Sequence, residues 1–125
     1  MTARVIVAGG RDFNDYELLK STLDESFRTI NNEGIEIQIV CGEAKGADQL
    51  GKRYAQEHGI PVVSFPAEWN RYGKSAGYRR NVEMAKYANA LIAFWNGESK
   101  GTKHMIDTAK QFGLSTTVVR YGDEN

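Results

Sequence analysis

Short apolar runs alternate along this chain with segments in which apolar residues recur every three or four positions. The runs are rich in valine and isoleucine, which is typical of strands, whereas the spacing between them is that of amphipathic helices. The pattern predicts four helices that separate five strands, the strands lying at residues 4–8, 35–41, 62–65, 91–95 and 116–120.

Residue types at the ends of these elements agree with the pattern. Asn14 followed by Glu17 predicts a capping box for the first helix, and Gly59 follows the second helix where a left-handed cap is favoured. Thr102 stands at the start of the last helix, where we expect it to cap the helix or to bind a phosphate oxygen. Pro61 and Pro66 flank the third strand, which predicts a strand near the sheet edge.

The order of the elements indicates the fold class. Strands that alternate with helices form right-handed βαβ units, and 125 residues are enough for one core, so residues 1–125 are predicted to be one domain. We therefore predict an α/β fold, a single Rossmann-like three-layer domain with a mainly parallel five-stranded sheet and helices on both faces. Residues 122–125 are expected to be a polar, fraying tail.

Composition excludes several classes of protein. Sixteen basic and sixteen acidic residues give no formal net charge, which disfavours a broad nucleic-acid-binding surface. Cys41 is the only cysteine, so we expect no internal disulfide and a reducing compartment. His58 and His104 lack a metal-ligand spacing and are expected to face solvent, so neither a metal nor a cofactor is predicted. The N-terminal apolar run is too short for a signal peptide or a membrane span, which predicts a cytoplasmic protein without membrane association.

The loops that follow the strands carry the candidate chemistry. In a parallel sheet these loops lie at one edge, and a ligand binds where the strand order reverses. The third loop, residues 67–77, is the longest connection, which is typical of a functional loop. Eight of the sixteen basic residues lie in the first four loops or at the starts of the helices that follow them: Arg11, Lys45, Arg71, Lys74, Arg79, Arg80, Lys100 and Lys103. An anionic small molecule is the expected partner of that edge.

Several residues in these loops also have a structural explanation. Asp48, at the start of the second helix, either favours the helix dipole or binds a ribose hydroxyl or a base edge. Trp69 and Tyr72 are either packing anchors or stacking platforms for a ligand. Arg79 or Arg80, in the first turn of a helix, opposes the helix dipole there, which indicates a nearby anion.

Motifs after the first four predicted strands resemble those of a known family. They are GGRDF at 9–13, GEAKGAD at 42–48, AEW at 67–69 with AGYRRN at 76–81, and AFWNG at 93–97 with GT at 101–102. In this order they resemble the small YspA, cpYpsA-related domains of the SLOG superfamily over nearly the whole chain. The resemblance implies a Rossmann-like fold that binds a nucleotide or a nucleotide-derived ligand.

The resemblance and the loop positions together predict the ligand site. The resemblance implies that the first-loop glycines, the pair 80–81 and the loop 101–102 line the pocket. The complete set of predicted ligand-binding residues is Gly9, Gly10, Arg11, Gly42, Gly46, Asp48, Trp69, Arg80, Asn81, Asn96, Gly97, Ser99, Gly101 and Thr102. By resemblance to its relatives the fold allows a homodimer, whereas nothing in the sequence itself defines an interface.

The sequence does not decide whether the protein is an enzyme. Phosphoribohydrolases of the Lonely Guy type, in the same superfamily, carry a glutamate three residues after the Gly-Thr pair, where this sequence has Met105. A thioether cannot ionise or stabilise an oxocarbenium-like sugar, which counts against the same mechanism. Asp12 and Glu43 are the candidate catalytic residues if the chain is an enzyme; otherwise they are expected to orient basic side chains or ligand hydroxyls.

Three functions are therefore considered. The favoured function is that of a sensor or carrier domain, which binds a nucleotide-like anion through backbone N–H groups, Arg80 and Thr102 without turnover. The alternative is an N-glycosidic hydrolase or transferase acting on nucleoside phosphates. The third is a single-stranded nucleic-acid binder, in which Trp69 and Tyr72 stack on bases, and the absence of net charge makes it the least favoured.

Overall fold

The computed structural model describes residues 1–122 as one parallel sheet between two layers of helices. The predicted tail extends to residue 125, so its last three residues lie outside the described part. A 3₁₀ turn at Gly73–Ser75 connects the third and fourth helices. The strands and helices are β1 (Thr2–Gly9), α1 (Tyr16–Asn32), β2 (Glu36–Cys41), α2 (Ala47–His58), β3 (Val62–Ser64), α3 (Trp69–Tyr72), α4 (Ala76–Tyr87), β4 (Ala90–Trp95), α5 (Lys100–Gln111) and β5 (Ser115–Arg120).

The five strands lie in the order β3-β2-β1-β4-β5, and every neighbouring pair is parallel. In the middle of the sheet, Val5 of β1 pairs with Ile39 of β2 on one side and with Ala90 of β4 on the other. The predicted Rossmann-like fold with helices on both faces is confirmed. The short strand β3 lies at a sheet edge, as its flanking prolines predict.

Each face of the sheet is covered by its own pair of helices. Alternate residues of β1 face opposite layers: Val5 and Val7 pack with α1 and α2, whereas Ile6 and Ala8 pack with α4 and α5. Burial on both faces explains why the central strands are almost continuously apolar. Within the described residues no helix combines the length and the apolar content that crossing a bilayer requires.

The start of α1 differs from the prediction. Asp15 is the N-cap, and its side chain accepts a hydrogen bond of 3.0 Å from the backbone N–H of Leu18. The predicted capping box of Asn14 with Glu17 is therefore wrong. Asparagine and aspartate are equally good caps, so the pair at positions 14 and 15 left the choice open at the sequence level. The prediction for Gly59 is confirmed, because it ends α2 in the left-handed conformation with φ 66°.

The start of α5 also differs. Ser99 is the N-cap, and its Oγ accepts a hydrogen bond of 3.3 Å from the backbone N–H of Thr102. The expectation that Thr102 caps the helix is wrong, because α5 begins two residues earlier, at Lys100. The long third loop is also not wholly irregular, since it contains α3 and the 3₁₀ turn.

Candidate functional site

A cavity of about 240 Å³ opens at the carboxyl edge of the sheet, beside the end of β1. Strand β1 has β2 on one side and β4 on the other, so the strand order reverses there, which is where ligands bind in open α/β sheets. Its lining comes from four loops and the helices that follow them: Ala8, Gly9, Arg11, Ala44, Asp48, Trp69, Lys74, Gly77, Tyr78, Arg80, Asn81, Met84, Ser99, Gly101, Thr102 and Met105.

Three helices begin at the rim of this cavity. Asp48 lies in the first turn of α2, Gly77 in that of α4 and Gly101 in that of α5, and all three residues line the cavity. Neither α2 nor α4 has a side-chain cap at its N-terminus. The positive ends of three helix dipoles thus converge on one cavity, which favours negative charge inside it.

Arg80 places a largely buried guanidinium in the cavity wall. Its Nη1 donates a hydrogen bond to the carbonyl oxygen of Gly42, and its Nε donates one of 3.1 Å to Oδ1 of Asn81. Among residues 1–122 no carboxylate oxygen lies within 4.0 Å of an Arg80 nitrogen, and Nη2 has no acceptor. Burial lowers the pKa of Arg80, because the charged form loses hydration without gaining an ion pair.

Asp48 is the one carboxylate among the residues that line the cavity. It is 4% exposed, and its Oδ2 accepts hydrogen bonds from the backbone N–H groups of Gly42 at 3.0 Å and Ala44 at 3.2 Å. Burial raises the pKa of Asp48 to about 6, although these two bonds and the charge of Arg80 oppose the rise. The side chain therefore holds the loop after β2, while Oδ1 has no donor among the described residues.

Asn81 and His104 connect α4 with α5 behind the cavity. Nδ2 of the buried Asn81 donates to the carbonyl oxygen of Gly101 at 3.4 Å and lies 3.1 Å from Nδ1 of His104. The His104 ring stacks on that of Tyr78, with 4.2 Å between the ring centroids. The prediction that His104 faces solvent is wrong, and partial burial lowers its pKa.

The loop before α5 contributes only some of its predicted residues. Ser99 and Thr102 line the cavity, and their hydroxyl oxygens lie 3.0 Å apart. Asn96 does not line it, because its Oδ1 accepts hydrogen bonds from the backbone N–H groups of Glu98 at 2.8 Å and Ser99 at 2.9 Å. Gly97 lies outside the cavity as well. The predicted binding roles of positions 96 and 97 thus have no support from their placement.

The other predicted glycines fall into two groups. Gly9 lines the cavity, whereas Gly10 is buried behind it, where its N–H donates to the Phe94 carbonyl oxygen at 3.1 Å. Gly46 lies against the backbone of Gly10, and a Cβ there would come within 2.2 Å of the Gly10 oxygen. Gly42 provides the groups that bind Asp48 and Arg80. Gly10, Gly42 and Gly46 therefore shape the cavity without lining it.

The two predicted catalytic carboxylates lie outside the cavity. Asp12 accepts a hydrogen bond of 2.6 Å from the Tyr121 hydroxyl. Glu43 accepts hydrogen bonds of 2.6 Å from both Lys52 Nζ and Ser64 Oγ, and the bond to Lys52 is the main reason that the pKa of its carboxyl is lowered. Glu43 thus bonds a basic side chain, as expected of it if the chain is not an enzyme, and it lines a neighbouring hollow. Asp12 instead bonds a tyrosine hydroxyl, which was not predicted.

A second hollow, of about 400 Å³, adjoins the cavity on the side of β2. Arg11, Ala44, Trp69 and Arg80 line both spaces. Trp69 is 52% exposed, so its ring is an accessible face between the two hollows rather than a core anchor.

Sequence reasoning missed several residues of the cavity wall. Lys74 was named among the basic residues of this edge but not among the predicted ligand-binding residues, and Tyr78, at the start of α4, was recognised only as part of a motif. Met84 is a buried core residue with no sequence signal for a cavity position, whereas Met105 stands where the related phosphoribohydrolases carry their glutamate, and that position does line the cavity. Among the described residues no group of three His, Cys, Asp or Glu side chains is arranged to hold a metal ion.

Comparisons with known proteins identify the family and agree with the fold. The model of the YspA, cpYpsA-related SLOG family matches residues 3–72. The Gene 61 protein of Mycobacterium phage D29 is 31% identical over an alignment 127 positions long, which covers 97% of this chain and 98% of that protein. The X-ray structure of TM1055 superposes with a TM-score of 0.65 at 19% identity, covering 93% of this chain and 72% of the other, which shows a common fold. This chain belongs to the YspA, cpYpsA-related SLOG family.

Proposed function

We propose that the cavity binds a nucleotide or a nucleotide-derived anion, as expected of a sensor or carrier domain. The proposal rests on one observation about Arg80. Its guanidinium is largely buried, and no carboxylate oxygen in the described part of the chain lies within 4.0 Å of it. Arg80 has hydrogen-bond partners and feels the charge of Asp48 but has no ion pair, so an anion in the cavity would neutralise a guanidinium that has lost part of its hydration.

The phosphate is assigned to the space between Arg80 and the start of α5. Nη2 of Arg80 has no acceptor among the described residues, and Gly101 and Thr102 bring the positive end of the α5 dipole to the same cavity. Arg11 and Lys74 add further positive charge to the lining, against the single carboxylate of Asp48. The net charge of the lining therefore favours an anion.

The rest of the ligand is assigned to the boundary between the two hollows. A cavity of about 240 Å³ is smaller than the roughly 300–1,000 Å³ usual for ligand sites, so a complete nucleotide also needs the adjoining hollow. Trp69 lines both hollows and offers an exposed ring on which a base can stack. Oδ1 of Asp48 is available to a ribose hydroxyl.

The test is direct binding. Native mass spectrometry of the purified protein looks for a retained nucleotide, and titration calorimetry measures the affinity for nucleoside mono- and diphosphates. Arg80→Ala should weaken binding by about tenfold or more, the effect of losing a charge-assisted hydrogen bond. Arg79→Ala is the matched control, because Arg79 neighbours Arg80 on α4 but bonds to Ser75 Oγ at 3.0 Å, outside the cavity lining. Equal affinities of the two variants would contradict the proposal.

A second candidate function, cleavage of the N-glycosidic bond of a nucleoside phosphate, is favoured by one observation. Asp48 lies in the cavity wall with its pKa raised to about 6, near the range that suits an acid–base group. Met105 also lines the cavity, so the glutamate of the hydrolase motif has no counterpart there. Incubation with nucleoside monophosphates separates the two functions, since free base is released only by an enzyme. Loss of that release in Asp48→Asn would assign the chemistry to Asp48.

A further inference from the structure

Two polar groups with fixed hydrogen-bonding roles flank the side-chain amide of Asn81 and determine its orientation. Nε of Arg80 can only donate, and it lies 3.1 Å from Oδ1 of Asn81. The carbonyl oxygen of Gly101 can only accept, and it lies 3.4 Å from Nδ2. The amide oxygen must therefore face Arg80, and the amide nitrogen must face α5.

This orientation determines the tautomer of His104. Nδ2 of Asn81 is a donor and lies 3.1 Å from Nδ1 of His104, so Nδ1 must accept. The proton of the neutral ring is then on Nε2, which lies 3.5 Å from the Thr108 hydroxyl. Neutral His104 is thus the last member of a chain of hydrogen bonds that runs from Arg80 through Asn81.

We propose that His104 is a positioning residue for the anion site: its neutral form keeps the amide oxygen of Asn81 on Arg80, and its protonation withdraws that oxygen and weakens anion binding. Protonated Nδ1 is a donor that faces another donor, so the amide must turn to satisfy it. One amide oxygen cannot accept from both His104 and Arg80 in this geometry. The inference deepens the proposed function by adding regulation by pH to the same site.

Given the groups that surround His104, the main consequence of its protonation is the competition between His104 and Arg80 for the amide oxygen of Asn81. Helix α4 presents Tyr78 and Asn81 to the ring, with Arg80 beyond the amide. On α5 itself, the charge of Asp107 acts on the ring and opposes the lowering of its pKa by burial. Asp107 is paired with Lys103 at 2.6 Å. Strands β1 and β4, which pack on α5, contribute apolar side chains, among them Ile6, Ala8, Leu91 and Ala93. Strand β5 also contacts α5, and its one charged residue is Arg120.

The sign of the effect distinguishes this proposal from simple electrostatics. A positive charge on His104 near an anion site would ordinarily tighten anion binding at low pH. Protonation of Asp48, whose pKa is raised to about 6, would act in the same direction by removing a negative charge from the cavity. The proposal predicts the opposite outcome, weaker binding as His104 becomes protonated.

The first experiment reads the hydrogen-bond chain without any ligand. Nitrogen-15 NMR of the histidine rings at pH 7.5 should give the Nε2–H tautomer for His104, and the Arg80 Nε–H and Asn81 amide signals should shift with the same midpoint as the His104 ring. His104→Gln, which can accept a hydrogen bond but cannot titrate, should remove the part of both shifts that follows the His104 ring and leave only the effect of Asp48, whose charge acts on Arg80. An Nδ1–H tautomer, or an Arg80 signal that does not follow His104, overturns the proposal.

The second experiment measures the affinity for inorganic sulfate, whose charge is constant over this range of pH. Wild-type affinity should fall with the midpoint that NMR gives for the His104 ring, by up to about tenfold once the ring is fully protonated, which is the loss of one charge-assisted hydrogen bond. Because burial lowers the pKa of His104, the titration is carried from pH 7.5 down through that midpoint. In His104→Gln the affinity should stay constant or rise. His58→Gln removes the other histidine, which bonds to the Tyr54 carbonyl oxygen and lies outside the cavity lining, and should behave as wild type. Wild-type affinity that rises at low pH as in His104→Gln overturns the proposal.

If the proposed function is wrong, the experiments give a result different from the one that overturns the role of His104. If sulfate and nucleotides bind neither wild type nor any variant, the anion site is refuted. The NMR experiment then still decides whether His104 positions Arg80, because it contains no ligand.

Discussion

The guanidinium of Arg80 donates through Nη1 to the carbonyl oxygen of Gly42, which ties α4 to the loop after β2. The N–H of the same glycine donates to Oδ2 of Asp48 at 3.0 Å. The backbone of Gly42 thus binds both charged groups of the cavity wall, Asp48 through its N–H and Arg80 through its carbonyl oxygen, and keeps the two groups apart on opposite sides of the loop. Because they do not form an ion pair within 4.0 Å, each remains able to bind a ligand group of the opposite polarity.

The contact between Gly42 and Arg80 predicts how a methyl group added at position 42 changes the affinity for an anion. A Cβ at position 42 would lie 2.1 Å from Nη1 of Arg80, so Gly42→Ala must displace the guanidinium. We expect sulfate affinity to fall about tenfold, as for removal of a charged hydrogen bond. Titration calorimetry checks it. The double variant Gly42→Ala with Arg80→Ala should bind no more weakly than Arg80→Ala alone, because the methyl group acts only through that side chain. Additive losses would show that it acts by another route.

Gly46 differs from Gly113 in both backbone conformation and close packing. Both have positive φ, 77° and 76°, but Gly46 has ψ −124°, outside the left-handed helical region, so alanine is more strained there than at an ordinary left-handed position, where it costs about 1–2 kcal/mol. At Gly113 no atom lies within 4 Å of the added Cβ, whereas at Gly46 it meets the Gly10 oxygen at 2.2 Å. Urea unfolding should therefore give a larger loss of stability for Gly46→Ala, by about 1–3 kcal/mol more. Equal losses would mean that the loop after β2 adjusts freely against the first loop.

The raised pKa of Asp48 predicts a pH-dependent stability. Its folded pKa of about 6 exceeds the ordinary value of 3.8, so the folded state binds the proton more tightly than the unfolded state. The contribution of Asp48 to the free energy of unfolding therefore falls as pH rises from about 4 to 6, by about 3 kcal/mol in total, and is constant above that range.

Asp48→Asn removes this contribution. The difference in unfolding free energy between wild type and Asp48→Asn, measured in urea at several pH values, should become less favourable to wild type between pH 4 and pH 6. Other titrating groups cancel in that difference because both proteins contain them. A difference that does not vary with pH would show that Asp48 is ionised at its ordinary pKa, and thus hydrated in the folded protein.

The sequence predicted the fold well because the fold depends on patterns that are local. The alternation of apolar runs with helical spacing set the order of the elements, and burial of β1 on both faces made its apolar run continuous. Cap positions were less certain, because Asn14 and Asp15 are neighbouring residues with the same capping ability, and only the geometry of the chain selects Asp15.

The site was predicted less completely than the fold, for a different physical reason. Motif residues such as Arg80 and Asn81 carry a recognisable pattern, and the structure brings them to one cavity. Whether a glycine lines the cavity or supports it depends on contacts between loops far apart in sequence, as with Gly46 against Gly10. The link from Asn81 to His104 joins two helices 23 residues apart and has no sequence signature.

Trp69 provides the test that distinguishes a nucleotide from a simple anion. Its ring is 52% exposed and lines both hollows, whereas Tyr72 of the same short helix lines neither. Stacking on a base is worth about 1 kcal/mol beyond its buried area, so Trp69→Leu should weaken binding of adenosine 5′-monophosphate at least fivefold. Tyr72→Leu should change that affinity less than about twofold, since single interface residues outside the site are near neutral. Both affinities are measured by titration calorimetry.

Sulfate supplies the internal control for Trp69→Leu. It has no base, so its affinity should be the same in Trp69→Leu as in wild type, while that for the nucleotide falls. Equal losses for both ligands would mean that the substitution deforms the cavity around Arg80 instead of removing a stacking surface. No loss for either would place the base away from Trp69, and the second hollow would then have no part in binding the ligand, because Trp69 forms the boundary between it and the cavity.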